Sequence, residues 1–202
     1  MPRTPEPPLE QTSAVYLRAL ASGLIDIALR PVGLKSTGAR SRIYYPRILR
    51  GKRAISIGTG TRIHPHAWLE AIHAYGEQRF DPAIEIGDNV SIGQHVVITA
   101  TSRVTIGDGC LFSQSVYISD TFHDVMLPSD APLGELPLVM RGEVTIGRRC
   151  FLGIRACVLP GVTLGDGCVV GANSVVTQSF DAGSVIAGSP ARRVDRNEPR
   201  SG

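Results

Sequence analysis

The sequence predicts an all-β solenoid, a triangular coil of short strands led by a short helical segment. Three observations carry this: aliphatic residues return every six positions, glycines recur in Ile-Gly and Leu-Gly steps, and the chain aligns with itself at a period of eighteen. In "RRCFLGIRACVLPGVTLGDGCVVGANSVVT" (Arg148 to Thr177), Leu152, Val158, Leu164, Val170 and Val176 form one file that Ile146 begins. Six is a multiple of two, so the file stays on one side of extended chain. On a helix six residues turn the chain by roughly 600°, about 240° net, and the file would scatter. Each hexapeptide therefore reads as a short strand followed by a bend. Gly58, Gly87, Gly93, Gly107, Gly147 and Gly165 mark the bends, where positive φ is the expected reason for glycine.

Residues 1–35 read as an extension carrying an amphipathic helix. The opening "MPRTPEPPLEQTSAV" lacks a basic stretch followed at once by an apolar run, so no secretory signal is expected. The stretch Ala14 to Gly33 places Tyr16, Leu20, Leu24 and Ile27 near one face. Arg18, Asp26 and Arg30 make it too polar for a comfortable membrane span. Packing on the body is the expected role, and lying on a membrane surface is the alternative. The location expected is cytoplasmic, or peripheral at the inner face of a membrane.

Residues 36–195 read as the coil, and residues 196–202 as a tail. The segment "ARSRIYYPRILRGKRA" gives about half a turn. Ile57, Ile63 and Leu69 belong to the first full copy, Ile86, Ile92 and Ile98 to the second. Ile106, Phe112 and Ile118 follow after a two-residue slip near Ser102 and Arg103. Val144 to Gly161 and Val162 to Ser179 align residue for residue. Three six-residue faces per turn put each file member on its counterpart one coil away, so every coil depends on its neighbours. The period alone does not set the hand, and the general preference of parallel crossovers is right-handed. Two segments break the rhythm, 73–83 and 122–142. The second is a long loop without period, and such loops are usually functional or disordered. His123 stands at its start.

Hydrophobic content of 43% and charged content of 19% exclude global disorder. Residues 1–62 hold eleven Lys/Arg against three acids, while the rest of the chain is net acidic. A basic start suits an anionic partner such as phospholipid or a phosphate-bearing substrate, or else a solvated face. Nucleic acid is not expected, since aromatics make up 5% and no reading motif is present. Cys110, Cys150 and Cys168 each precede a file member by two, which suits small buried thiols in a reducing compartment. None of the four cysteines has zinc-type spacing.

The repeats, "SDTFHDV", "LPGVTLGDGCVVGANSVVT" and the closing "VIAGSPARRV" resemble the hexapeptide-repeat acyltransferases, closest to sugar and polysaccharide O-acetyltransferases of the maltose and galactoside kind. The resemblance implies a left-handed parallel β-helix, a homotrimer with active sites between subunits, and acetyl-CoA as co-substrate without a metal. It makes His123 the catalytic residue, with Asp120, Asp124 or a backbone carbonyl to orient it. It assigns coenzyme A contacts to Gly153, Ala172, Thr177, Gln178 and Pro190, and phosphate contacts to Arg192 with Arg193. Two positions depart from the family pattern: Gln178 stands where lysine is usual, and Phe151 where tryptophan is frequent. Arg196 or Arg200 could compensate for the missing lysine.

On this reading a saccharide hydroxyl, from a surface polysaccharide, lipid-linked glycan or nucleotide sugar, loses its proton to a neutral imidazole as it attacks the thioester. A backbone N–H would meet the oxyanion, and one cleft holding both reactants permits direct transfer. Two rivals keep the shape and change the chemistry. A non-catalytic scaffold would have no use for His123 or the "AGSPARR" end. A metal enzyme like the prism-shaped carbonic anhydrases needs an H-x4-H pair, and the five histidines offer none.

Overall fold

A computed structural model describes residues 33–194. The helix expected between Ala14 and Gly33 lies outside those residues save Gly33 itself, as do Arg196 and Arg200. The described chain winds into a three-faced parallel β-helix. The first face stacks Ser36–Thr37, Ile55–Ile57, Ala83–Ile86, Arg103–Ile106, Val144–Ile146 and Thr163–Leu164. The second runs from Arg42–Ile43 through Arg62–Ile63, Ser91–Ile92, Leu111–Phe112, Phe151–Leu152 and Val169–Val170 to Val185–Gly188. Ala191–Arg193 closes that face as its one antiparallel strand. The third stacks Ile48–Arg50, Trp68–Ala71, Val97–Ala100, Tyr117–Ser119, Cys157–Val158 and Val175–Val176. Seven parallel rungs on the second face, at about 4.8 Å each, span about 29 Å.

The register follows the files read in the sequence. Ile57, Ile86, Ile106, Ile146 and Leu164 stack on the first face, and Ile63, Ile92, Phe112, Leu152 and Val170 on the second. Leu69, Ile98, Ile118, Val158 and Val176 stack on the third. All of these inward side chains are buried. Residues 39–54, read as half a turn, belong to a whole rung made by Ser36–Thr37, Arg42–Ile43 and Ile48–Arg50. Thr37 holds the inward file position beside Ile57, so the aliphatic signal was missing there while the ladder was not.

The Ile-Gly glycines are needed for a different reason than positive φ. Positive φ falls later in the bends, on residues such as Asn89, His95, Arg149 and Gly109. At Gly87 a Cβ would sit 2.3 Å from the Asp108 carboxylate and 2.9 Å from its backbone nitrogen. Close stacking of one coil's bend on the next excludes any side chain there.

At the corner between the first and second faces the small residues form a ladder across coils. Thr61 Oγ1 donates to the Gly87 carbonyl at 2.7 Å, Cys110 Sγ to Gly147 at 3.1 Å, and Cys150 Sγ to Gly165 at 3.3 Å. Cys168 Sγ reaches the Asp181 carbonyl at 3.2 Å, and Ser184 Oγ the same oxygen at 2.6 Å. Each donor satisfies a carbonyl that the bend leaves over. All four thiols are free. Its hydrogen bond with Cys110, then burial, pushes the Cys150 thiol up, and burial also raises Cys157 and Cys168. The hydrogen bond with Cys150 lowers the Cys110 thiol instead, but that side chain is buried out of reach of a substrate, so none of the four is poised as a nucleophile.

Candidate active site

Both interruptions of the coil leave from the same corner, after third-face strands. Residues 73–83 follow Trp68–Ala71, and residues 122–142 follow Tyr117–Ser119. The second was read as one long loop without period. Its two ends instead pair as an antiparallel ribbon, Thr121–His123 against Leu138–Met140, so His123 sits on a strand opposite Leu138.

A buried polar knot anchors the ribbon. Thr99 donates to the Ser119 hydroxyl at 2.8 Å, Ser119 to the Thr121 carbonyl at 2.8 Å, and Thr121 Oγ1 to the Val139 carbonyl at 3.0 Å. Asp120 is fully buried, and its hydrogen-bond partners are not the histidine. One of its oxygens accepts from Thr101 N at 2.8 Å and Thr101 Oγ1 at 3.1 Å; the other accepts from Ser102 N at 2.7 Å. Those donors belong to the two-residue slip. Asp120 therefore supports the slip, and no hydrogen bond links its carboxylate to His123. The Asp124 carboxylate makes no hydrogen bond among the described residues, and its backbone N–H donates to the Pro137 carbonyl at 2.9 Å.

The partner of His123 is a backbone carbonyl. Its Nδ1 lies 3.3 Å from the Leu136 oxygen. A carbonyl oxygen only accepts, so the neutral ring carries its proton on Nδ1 and leaves the lone pair on Nε2. The ring is half-buried, with Tyr75 packed edge-on at 5.2 Å between centroids and 72° between planes.

Tyr75 and Gln78 come from the first interruption, a hairpin of Ala74–Tyr75 and Gln78–Arg79 turning through Gly76 at φ 53°. Gln78 grips the ribbon with both ends of its amide: Nε2 donates to the Leu138 carbonyl at 3.0 Å, and Oε1 accepts from Leu138 N at 2.7 Å. Tyr75 donates its hydroxyl proton to the Gly134 carbonyl. The hairpin thus holds the loop on both sides of Leu136, whose oxygen sets the histidine. Sequence reading missed these two residues. The available signal was positional, since both breaks follow the third hexapeptide of a coil and must emerge at one corner.

The residues expected to hold coenzyme A divide between places. Gly153 and Ala172 stack at the corner between the second and third faces, where a Cβ on Gly153 would lie 2.6 Å from Ala172 N. Pro190 joins that corner from the last coil, where Gly188 N donates to Ser174 Oγ at 3.1 Å. Thr177 and Gln178 are exposed at the opposite edge of the third face, on the corner from which the ribbon leaves. The two arginines alternate along their strand. Arg193 donates to Ser184 Oγ at 2.8 Å and lies 3.7 Å from the Asp181 carboxylate. Arg192 reaches only its neighbour's carbonyl, Ala191 O, at 2.9 Å, and among the described residues it has no acid partner. Arg192 is thus the free cation of the pair.

Residues 143–178 match the family model for the hexapeptide repeat of succinyl-transferase. The dTDP-4-amino-4,6-dideoxy-D-glucose acyltransferase of Escherichia coli is 30% identical over 180 residues, covering 88% of this chain and 90% of that protein. The chain belongs to the hexapeptide-repeat acyltransferase family. A second family member, WbbJ of Escherichia coli K12, named for O-acetyl transfer in lipopolysaccharide biosynthesis, is 40% identical over 119 residues. That match spans 56% of this chain and 60% of WbbJ. The acyltransferase fold is the left-handed parallel β-helix. It is shared with a solved variant of AntD, an N-acyltransferase from Bacillus cereus, in complex with dTDP-4-amino-4,6-dideoxyglucose and coenzyme A. That structure superposes with a TM-score of 0.69 at 19% identity, over 84% of this chain and 87% of AntD.

Proposed function

We propose that this acyltransferase moves an acetyl group from acetyl-CoA directly to a saccharide hydroxyl, with His123 as the base. The observation that carries the reading is the Leu136 carbonyl on His123 Nδ1, which leaves Nε2 free to accept a proton. The acceptor O–H gives its proton to Nε2 as the oxygen bonds to the thioester carbon. The tetrahedral intermediate then expels the coenzyme A sulfur, which takes the proton back from the imidazolium. Gly153, Ala172 and Pro190 would line the pantetheine arm, and Arg192 would meet phosphate. Thr177 and Gln178 stand across the third face from Gly153, so one prism does not gather all these contacts. A homotrimer with sites between subunits would, and Leu111, Tyr117, Phe151 and Ile154 are apolar side chains exposed on the second and third faces and at the corner they share.

The relative named for a 4-amino sugar favours a second reading, in which the acceptor is an amine on a nucleotide sugar. Thiol release from acetyl-CoA tests both readings, using neutral sugars, nucleotide sugars and dTDP-4-amino-4,6-dideoxyglucose with wild type and His123→Ala. Release that depends on a hydroxyl acceptor and is lost in the variant supports the first. Release that depends only on the amino sugar selects the second. Release with neither removes the assignment. Action on the cytoplasmic side, where acetyl-CoA is made, belongs to the same proposal.

A further inference from the structure

The positive charge of the N-terminal part is not on the segment expected to be helical. Residues 1–32 carry three Lys/Arg and three acids, while residues 33–62 carry eight Lys/Arg and no acid. The fold winds those eight around the terminal rung of the described prism and the start of the next. Lys35 and Arg40 flank the first-face strand, Arg42 and Arg62 lie on the second face, and Arg47 stands at a corner. Arg50 ends the third-face strand, and Lys52 and Arg53 form the short 3-10 turn beyond it. All but Arg42 are exposed. Arg50 pairs with Glu70 at 3.4 Å; Lys35, Arg40, Arg47, Lys52, Arg53 and Arg62 have no acid partner among the described residues.

Tyr45, at φ 40° and 74% exposed, projects from the same rung and adds an amphipathic ring of the kind found at lipid interfaces.

We infer that this rung is a docking surface for an anionic phospholipid bilayer. The cations surround the end of the prism on all three faces rather than lining a groove. A flat surface met end-on engages such a ring at once, whereas a polymer needs a track. The remaining described residues, 63–194, carry eight Lys/Arg against thirteen acids and would point away from an anionic leaflet.

Flotation of the full chain with vesicles tests this, comparing phosphatidylcholine alone with mixtures containing phosphatidylglycerol. Binding should require phosphatidylglycerol and be released by high salt. The combined variant Arg40→Gln, Arg47→Gln, Lys52→Gln, Arg53→Gln should bind such vesicles at least about a hundredfold more weakly. An unchanged melting temperature establishes that the variant is folded, and the salt response of the wild type needs no variant. Equal binding to phosphatidylcholine alone, salt-insensitive binding, or wild-type binding by the variant would overturn the inference. So would retention of duplex DNA at a salt concentration that strips the protein from phosphatidylglycerol.

Discussion

Replacing Gln78 by alanine should slow catalysis although Gln78 touches no reacting atom. Its amide makes two hydrogen bonds to the backbone of Leu138, and Leu138 itself is only 7% exposed. At about 1 kcal/mol net for each bond, the clamp between hairpin and ribbon is worth about 2 kcal/mol. Losing that would lower the ratio of clamped to unclamped loop by up to about thirtyfold. Leu136 lies between the two gripped points, so an unclamped loop lets its carbonyl leave His123 Nδ1. Steady-state thiol release should show kcat down by about tenfold at unchanged affinity for acetyl-CoA, since Gly153, Ala172 and Pro190 lie at another corner and no hydrogen bond ties Gln78 to Thr177 or Gln178. Gln78→Glu keeps the acceptor for Leu138 N and loses the donor, so its kcat should fall between the two. Hydrogen exchange at the Leu138 amide should speed up in step with the loss. A kcat within twofold of wild type, with that amide exchanging faster, would refute the link between clamp and base.

Three further outcomes separate architecture from chemistry. Asp120→Ala strands three donors around a fully buried site, so it should cost about 3 kcal/mol and appear as a lower melting temperature; a normal melt with lost activity would instead return Asp120 to the catalytic machinery. Gly153→Ala drives a methyl to within 2.6 Å of Ala172 N and should destabilise by about 2 kcal/mol in denaturant titrations, whereas an unchanged midpoint would mean that the coils part easily there. Arg192→Ala should raise KM for acetyl-CoA about tenfold, the loss of one charge-assisted contact, and Arg193→Ala should change it less than twofold. Equal effects would show that Arg193 leaves Asp181 when coenzyme A binds.

The ladder was legible because it is written in a repeated side-chain period. From Ile57 to Val176 the inward files follow from spacing alone, and even the slip at Ser102 and Arg103 showed as a shift of two. What failed was legible only in three dimensions. Thr37 occupies a file position without being aliphatic, so the first rung looked like half a coil. The Ile-Gly glycines answer to the bend stacked on them and not to their own φ, a contact between residues some twenty apart. His123 could be placed at the start of a break, but its partner is a carbonyl, and every residue carries one. Tyr75 and Gln78 act across 59 and 60 residues, and no local pattern marks them.

The central claim is that Nε2 of His123 takes the acceptor's proton. Chemical rescue tests it most directly: turnover of His123→Ala is measured with and without added free imidazole, alongside calorimetric binding of acetyl-CoA. The account predicts a fall in kcat of about 10²- to 10⁴-fold, acetyl-CoA bound as in the wild type, and activity partly restored as imidazole is added. A variant that turns over at the wild-type rate, or one whose loss follows weakened acetyl-CoA binding and ignores imidazole, would contradict it.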